Sequence, residues 1–132
     1  MSSKVLEAIK TPEGQARVNE ALAVMCGIPR EKGALRQIQQ MWPPRFLAGL
    51  LPDGSCDEEQ VDGALLWRVM RAAARDNEIS LRAYWDDDTD SKAWDAEAWD
   101  DSSGISCHHA HPTVAMAELA EGLGLLWKGD AQ

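Results

Sequence analysis

The spacing of hydrophobic residues along the chain predicts helices first, then strands, and then one more helix. In the first predicted helix, Thr11 is the N-cap, Pro12 takes the first helical position, and Gly27 ends the helix. A weaker helical pattern covers residues 31–41. Residues 46–54 are predicted to form a loop that ends in a turn.

The strongest helical pattern lies in the middle of the chain. Ser55 and Glu58 have the spacing of a capping box, which predicts that the helix starts there. Asp76 and Asn77 are expected to end it. The apolar residues form two adjacent rows on one helical face. These rows are Val61, Leu65, Val69 and Ala72, and Leu66, Met70 and Ala73.

After this helix the hydrophobic pattern changes to a period of two, which is typical of strands with one buried face. Three alternating segments follow, separated by polar turns at residues 86–91 and 100–104. Short turns between successive strands predict an antiparallel meander. A last helix is expected from Pro112. The sequence therefore predicts an α+β fold, in which a three-stranded antiparallel β-meander packs against flanking helices in the order helices–βββ–helix.

The composition fits one intracellular domain. The chain has 132 residues, which we divide into a loose N-terminal segment (1–10), an N-terminal helical region (11–54) and a helix–βββ–helix core (55–127). The net charge of −9 argues against direct binding of nucleic acid or of an anionic membrane. No apolar run is long enough to span a bilayer, and no signal peptide is evident. Three widely spaced cysteines are typical of reduced thiols in a cytoplasm.

Four stretches of the chain, in order, resemble the phage ABA sandwich family, small proteins of bacteriophages and prophages in which helices pack on an antiparallel sheet. The resemblance spans residues 11–126 and departs from the family pattern at residues 31–52. It implies a phage or prophage protein that acts in the cytoplasm of a bacterial host cell. It brings no catalytic motif with it. The matching stretches are residues 17–27, 61–73, 94–98 and 110–120.

Tryptophans and acidic residues are interleaved along the predicted hairpins. Strand alternation places Trp85 and Trp94 on the buried face, and Trp99 on the opposite face with Asp95 and Glu97. Aromatic anchors within an acidic rim are typical of surfaces that bind basic proteins. We therefore expect a non-enzymatic protein that binds and inhibits a host protein or nucleoprotein complex with a basic surface, in the manner of an anti-CRISPR protein. The expected contact residues are Asp86, Asp87, Asp88, Asp90, Trp99, Asp100 and Asp101.

Two alternative functions stay open from the sequence. One is a small-molecule protein that binds or sequesters a nucleotide, which would require a basic pocket in an otherwise acidic protein. The other is a phage structural or assembly factor. An exposed edge strand could in addition pair with a second copy to form a homodimer. The arginines expected to bind an anionic ligand are Arg68, Arg71, Arg75 and Arg82.

The predicted third strand carries residue types that bind transition metals. Cys107, His109 and His111 alternate along it, and such ligands suit zinc or nickel. Alternate residues of a strand lie about 6.8 Å apart, which is wide for metal–ligand bonds of about 2.0–2.3 Å. Cys107 and His108 point to opposite faces, so they do not form a nucleophile–base pair. We therefore expect no catalytic residue, no metal and no cofactor.

Overall fold

The computed structural model describes residues 4–27, 45–99 and 104–127. These residues form four α-helices and one three-stranded sheet. This confirms the predicted α+β fold. The helix predicted at residues 31–41 falls outside the described residues. The elements are α1 (Lys4–Ala8), α2 (Pro12–Met25), α3 (Gly63–Ala74), β1 (Glu78–Asp86), β2 (Ser91–Trp99), β3 (Gly104–His109) and α4 (Pro112–Gly122), with 3-10 turns at Arg45–Leu47 and Glu58–Gln60.

The start of α2 is fixed by the residues that the sequence singled out. The Thr11 hydroxyl accepts a hydrogen bond from the Gly14 backbone N–H at 3.1 Å, and Pro12 follows the cap. Gly14 also lets α1 approach closely, since a Cβ at this position would lie 1.9 Å from the carbonyl oxygen of Ala8. At the other end, Gly27 has a φ of +99°, a conformation that glycine adopts without strain.

Helix α3 begins later than the sequence predicted. Its N-cap is Asp62, whose carboxylate accepts a hydrogen bond from the Leu65 N–H at 3.1 Å. The capping box at Ser55 was the wrong assignment, because a 3-10 turn, Glu58–Gln60, comes between Ser55 and the helix. Asp57 caps the separate 3-10 turn that precedes the helix. The buried row of α3 is Leu65, Val69 and Ala73.

The sheet has the order β1-β2-β3, and both strand pairs are antiparallel. The face that contains Ala96 packs into the core, where α4 lies on β2 and β3 and α3 lies on β1. The opposite face, called the outer face below, carries Asp95 between Arg82 and His108. The Arg82 and His108 side chains on the outer face are largely exposed.

Helix α4 is the centre of the core. Residues 111–117 are buried without interruption, which fits a helix enclosed on all sides. It packs on the sheet, on α1 and α3, and on the 3-10 turn Arg45–Leu47. Phe46 in that turn is fully buried. None of the helices described is long and apolar enough to cross a bilayer.

Candidate functional site

The turn between β1 and β2 forms an exposed acidic end of the sheet, called the hairpin end below (residues 85–91). Asp87, Asp88 and Asp90 are exposed. Trp85 was expected on the buried face, but its side chain is 60% exposed. Trp85 pairs with Lys92 directly beside the turn. The exposure of Trp85 indicates that the core helices do not extend over this end of the sheet. A large aromatic side chain therefore lies in solvent beside a run of carboxylates.

A concave surface adjoins the hairpin end. It has a volume of about 470 Å³, and its charged lining residues are Asp53, Asp86 and Lys92. Tyr84 and His108 also line it and present polar groups at its wall. Asp53 is held in place, because its carboxylate accepts hydrogen bonds from the backbone and the hydroxyl of Ser55. These hydrogen bonds lower the pKa of Asp53, so the carboxylate stays charged.

Trp99 lies at the opposite end of β2 from the hairpin end. It pairs with Glu78, whereas Asp86 pairs with Ser91 at the turn. The eight residue steps between Ser91 and Trp99 span about 27 Å of extended strand. Trp99 is 45% exposed, as the alternation predicted, but it is not part of one surface with the acidic turn. The predicted contact residues Asp100 and Asp101 lie outside the described residues.

The outer face carries a polar cluster that the sequence did not reveal. Asp95 is only 4% exposed although no apolar core surrounds it, because its neighbours cover it. Its carboxylate lies 3.4 Å from Arg82 Nε, 3.3 Å from His108 Nδ1 and 3.2 Å from Ser106 Oγ. A hydrogen bond with Asp95 is the main cause that raises the pKa of Glu97, and the neighbouring charge of Arg82 acts in the opposite direction.

His108 joins the cluster through both ring nitrogens. Its Nδ1 lies 3.3 Å from the Tyr84 hydroxyl and 3.3 Å from Asp95 Oδ1, and its Nε2 lies 3.1 Å from Ser106 Oγ. The Ser106 hydroxyl donates to the Asp95 carboxylate (3.2 Å). These contacts connect Asp95 on β2 with Tyr84 on β1 and with Ser106 and His108 on β3.

The arginines of α3 lie together on an open surface. Arg68, Arg71 and Arg75 line a concavity of about 450 Å³ with Cys26 and Ala72. Three of the four arginines predicted to bind an anion therefore share one site. Arg82 does not belong to it. The side chain of Arg82 lies on the outer face of the sheet, where it contacts Asp95 and Glu97 instead.

The histidines that follow β3 have structural roles. Nδ1 of His109 accepts a hydrogen bond from the backbone N–H of His111 (2.9 Å), and Nδ1 of His111 accepts one from Thr113 (3.2 Å) at the start of α4. Nε2 of His111 donates to the carbonyl oxygen of Ala48 (2.8 Å). Burial lowers the pKa of both imidazoles, so both stay neutral. Both nitrogens of His111 are occupied, so this side chain is not a metal ligand.

The thiols and the metal-binding residue types give no reactive centre in the part of the chain that the structure describes. Burial raises the pKa of Cys26 and of Cys107 to about 11, so both thiols stay protonated at neutral pH. Within the same ranges, no three His, Cys, Asp or Glu side chains are placed to hold a metal ion.

Glu118 in α4 is a carboxyl group in an unfavourable position. Its Oε1 atom is buried and makes no hydrogen bond to any described residue. Burial, and then repulsion from Glu121, raises its pKa from 4.5 to about 7. Between these pH values the folded protein holds a proton that the unfolded chain releases, so stability falls as the pH rises through this range.

We therefore expect Glu118→Gln to stabilise the protein by about 1 kcal/mol at pH 8, and by much less at pH 4.5. Thermal unfolding at both pH values measures this difference. The exposed residue Glu59 provides the control, since Glu59→Gln removes a carboxylate that is already solvated. An equal shift in melting temperature at both pH values would show that burial of the Glu118 charge is not the cause.

Comparison of the chain with protein-family models, with curated proteins and with solved structures found no match. The resemblance to the phage ABA sandwich family therefore stays a prediction.

Proposed function

We propose that this chain is a non-enzymatic binding protein that uses its hairpin end to contact a basic surface of a macromolecule. The observation that carries the proposal is the 60% exposed side chain of Trp85 beside a turn of exposed aspartates. Tryptophans at protein interfaces are frequent binding hot spots. An exposed tryptophan with no core function is therefore a candidate anchor.

The electrostatics of the hairpin end favour a basic partner. Asp87, Asp88 and Asp90 project into solvent, and Asp53 and Asp86 line the adjoining concavity. Lys92 lines it as well, but its charge is paired with Glu58 at 2.9 Å. The volume of that concavity, about 470 Å³, is sufficient for one long side chain such as lysine or arginine. The net charge of −9 adds attraction at longer range, which accelerates encounter with a basic surface.

In its concrete form, the proposal is that the protein inhibits a bacterial anti-phage defence complex in the cytoplasm of the host. Complexes that bind nucleic acid present basic channels, because phosphate contacts dominate their affinity. An acidic protein with an aromatic anchor fits such a channel. The phage origin implied by the family resemblance supports this choice of partner.

The test compares two charge reversals of equal size. Asp87→Lys with Asp88→Lys alters the hairpin end, whereas Glu13→Lys with Glu78→Lys alters exposed acids elsewhere on the protein. Each tagged variant is purified from a bacterial lysate that contains a defence complex, and bound proteins are identified by mass spectrometry. Plaque counts on the defended strain measure inhibition. We expect the hairpin variant to lose at least about tenfold in partner binding and to lose inhibition, because like charges would then face each other.

The control variant should bind and inhibit as the wild type does. If the hairpin variant keeps both properties, the assignment of the hairpin end is wrong. If both variants lose binding equally, net charge alone accounts for the interaction and no specific surface is involved.

A further inference from the structure

The exposed side of α3 combines three arginines with a tryptophan. We call this surface the arginine face and define it as Trp67, Arg68, Arg71 and Arg75. At 100° per residue these four positions fall within an arc of about 100°. The buried residues of the helix lie on the opposite side, so all four side chains point away from the core. The face follows directly from the spacing of these residues in the sequence.

Among the described residues, no carboxylate pairs with the charges of the arginine face. Within residues 4–27, 45–99 and 104–127, none of the three guanidinium groups forms an ion pair. The stretch from Gly63 to Arg75 contains no acidic residue. In a chain with a net charge of −9, such a concentration of unpaired positive charge is unexpected for a purely solvating surface. It marks a place where an anion would be stabilised.

The shape of the surface is suited to an anionic group. Arg68, Arg71 and Arg75 line a concavity of about 450 Å³, which is within the size range of small-molecule sites. Cys26 and Ala72 complete its lining. The Cys26 thiol stays protonated because burial raises its pKa to about 11, so it adds no negative charge. Guanidinium groups bind phosphate oxygens through paired hydrogen bonds, which favours a phosphate as the anion.

Trp67 adds a flat apolar surface to this positive site. Its side chain is 60% exposed, and it precedes Arg71 by four residues, which places the two side chains side by side on the helix. Aromatic side chains bind nucleobases by stacking in a way that tolerates any base. A ligand that carries both a planar ring and several phosphates would therefore use all four residues.

We propose that the arginine face binds a nucleoside polyphosphate, with the base stacked on Trp67 and the phosphates held by Arg68, Arg71 and Arg75. This site shares no residue with the hairpin end, so it stands independently of the macromolecular function proposed above. A small nucleotide fits better than a polymer, because the acidic remainder of the protein would repel a long chain of phosphates.

The experiment is calorimetric titration of the full chain with ATP, with inorganic triphosphate and with adenosine. We expect ATP to bind more tightly than triphosphate, and adenosine to show no binding at millimolar concentration. Arg71→Gln should weaken binding of ATP and triphosphate by about tenfold or more, because it removes a charge-assisted contact. Trp67→Leu should weaken binding of ATP by about tenfold and leave triphosphate unchanged, because only the nucleotide has a base to stack.

Matched controls exist elsewhere on the surface. Arg82→Gln removes an arginine of the outer face, and Trp85→Leu removes an equally exposed tryptophan. Both should bind ATP as the wild type does. Failure of the wild type to bind ATP at millimolar concentration, or unchanged affinity in Arg71→Gln, would overturn the proposal. Tighter binding of a single-stranded oligonucleotide than of ATP through the same residues would overturn it as well, in favour of a nucleic-acid site.

Discussion

Replacing His111 with alanine is expected to lower the free energy of unfolding by about 3 kcal/mol. The imidazole is fully buried and connects two parts of the fold. Nδ1 caps α4 through the N–H of Thr113, and Nε2 donates to the carbonyl oxygen of Ala48. Alanine removes the cap, leaves the Ala48 carbonyl without this donor, and leaves a cavity. Urea denaturation of the variant and the wild type measures the loss.

Asparagine at position 111 separates these contributions. Asn is a good N-cap but is too short to replace the whole imidazole, so His111→Asn should recover about 1 kcal/mol of the loss. The wild type should also lose stability as the pH falls below 6.5, because the unfolded chain then takes up a proton that buried His111 does not. The loss of stability in acid should be smaller in His111→Asn than in the wild type. It should not vanish, because burial also lowers the pKa of His109. Identical acid sensitivity in both proteins would contradict the role of neutral His111.

Phe46→Ala is expected to cost about 4 kcal/mol. Phe46 is the only phenylalanine of the chain and is fully buried in the 3-10 turn Arg45–Leu47, which packs on α3 and α4. Truncation removes most of a large apolar side chain and leaves a void that this short turn fills poorly. The same denaturation experiment checks the value, and Phe46→Leu is the matched control with an expected cost of about 1 kcal/mol. A loss below 1 kcal/mol in Phe46→Ala would show that this turn is not part of the cooperative core.

The fold was largely predictable because its signals are local. Thr11, Pro12 and Gly27 define α2 through capping chemistry that involves only neighbouring residues. The period-two pattern and the short turns likewise predict the meander. The capping box at Ser55 failed because Asp57 caps the 3-10 turn Glu58–Gln60 and Asp62 caps the helix itself. Several capping residues follow one another in this stretch, and their spacing alone did not decide which of them starts the helix.

The candidate sites were predictable only in part. Helical spacing correctly placed Arg68, Arg71 and Arg75 together, since positions three and four residues apart share a face. Arg82 was assigned to the same group, but the register of β1 against β2 places it opposite Asp95. Register depends on turn geometry, which the sequence did not determine, so the outer-face cluster was missed. The exposure of Trp85 depends on where the packed helices end, which is a tertiary property.

The hydrogen bond between His111 and Ala48 joins residues that are 63 positions apart in the chain. The strands of the meander, in contrast, pair with their nearest neighbours in sequence. Closing a long loop costs more entropy than forming a hairpin, so this bond is expected to form after the rate-limiting step of folding. An interaction that is absent from the transition state slows unfolding and leaves the folding rate almost unchanged. We therefore expect loss of the His111–Ala48 hydrogen bond to shorten the lifetime of the folded protein more than it slows folding.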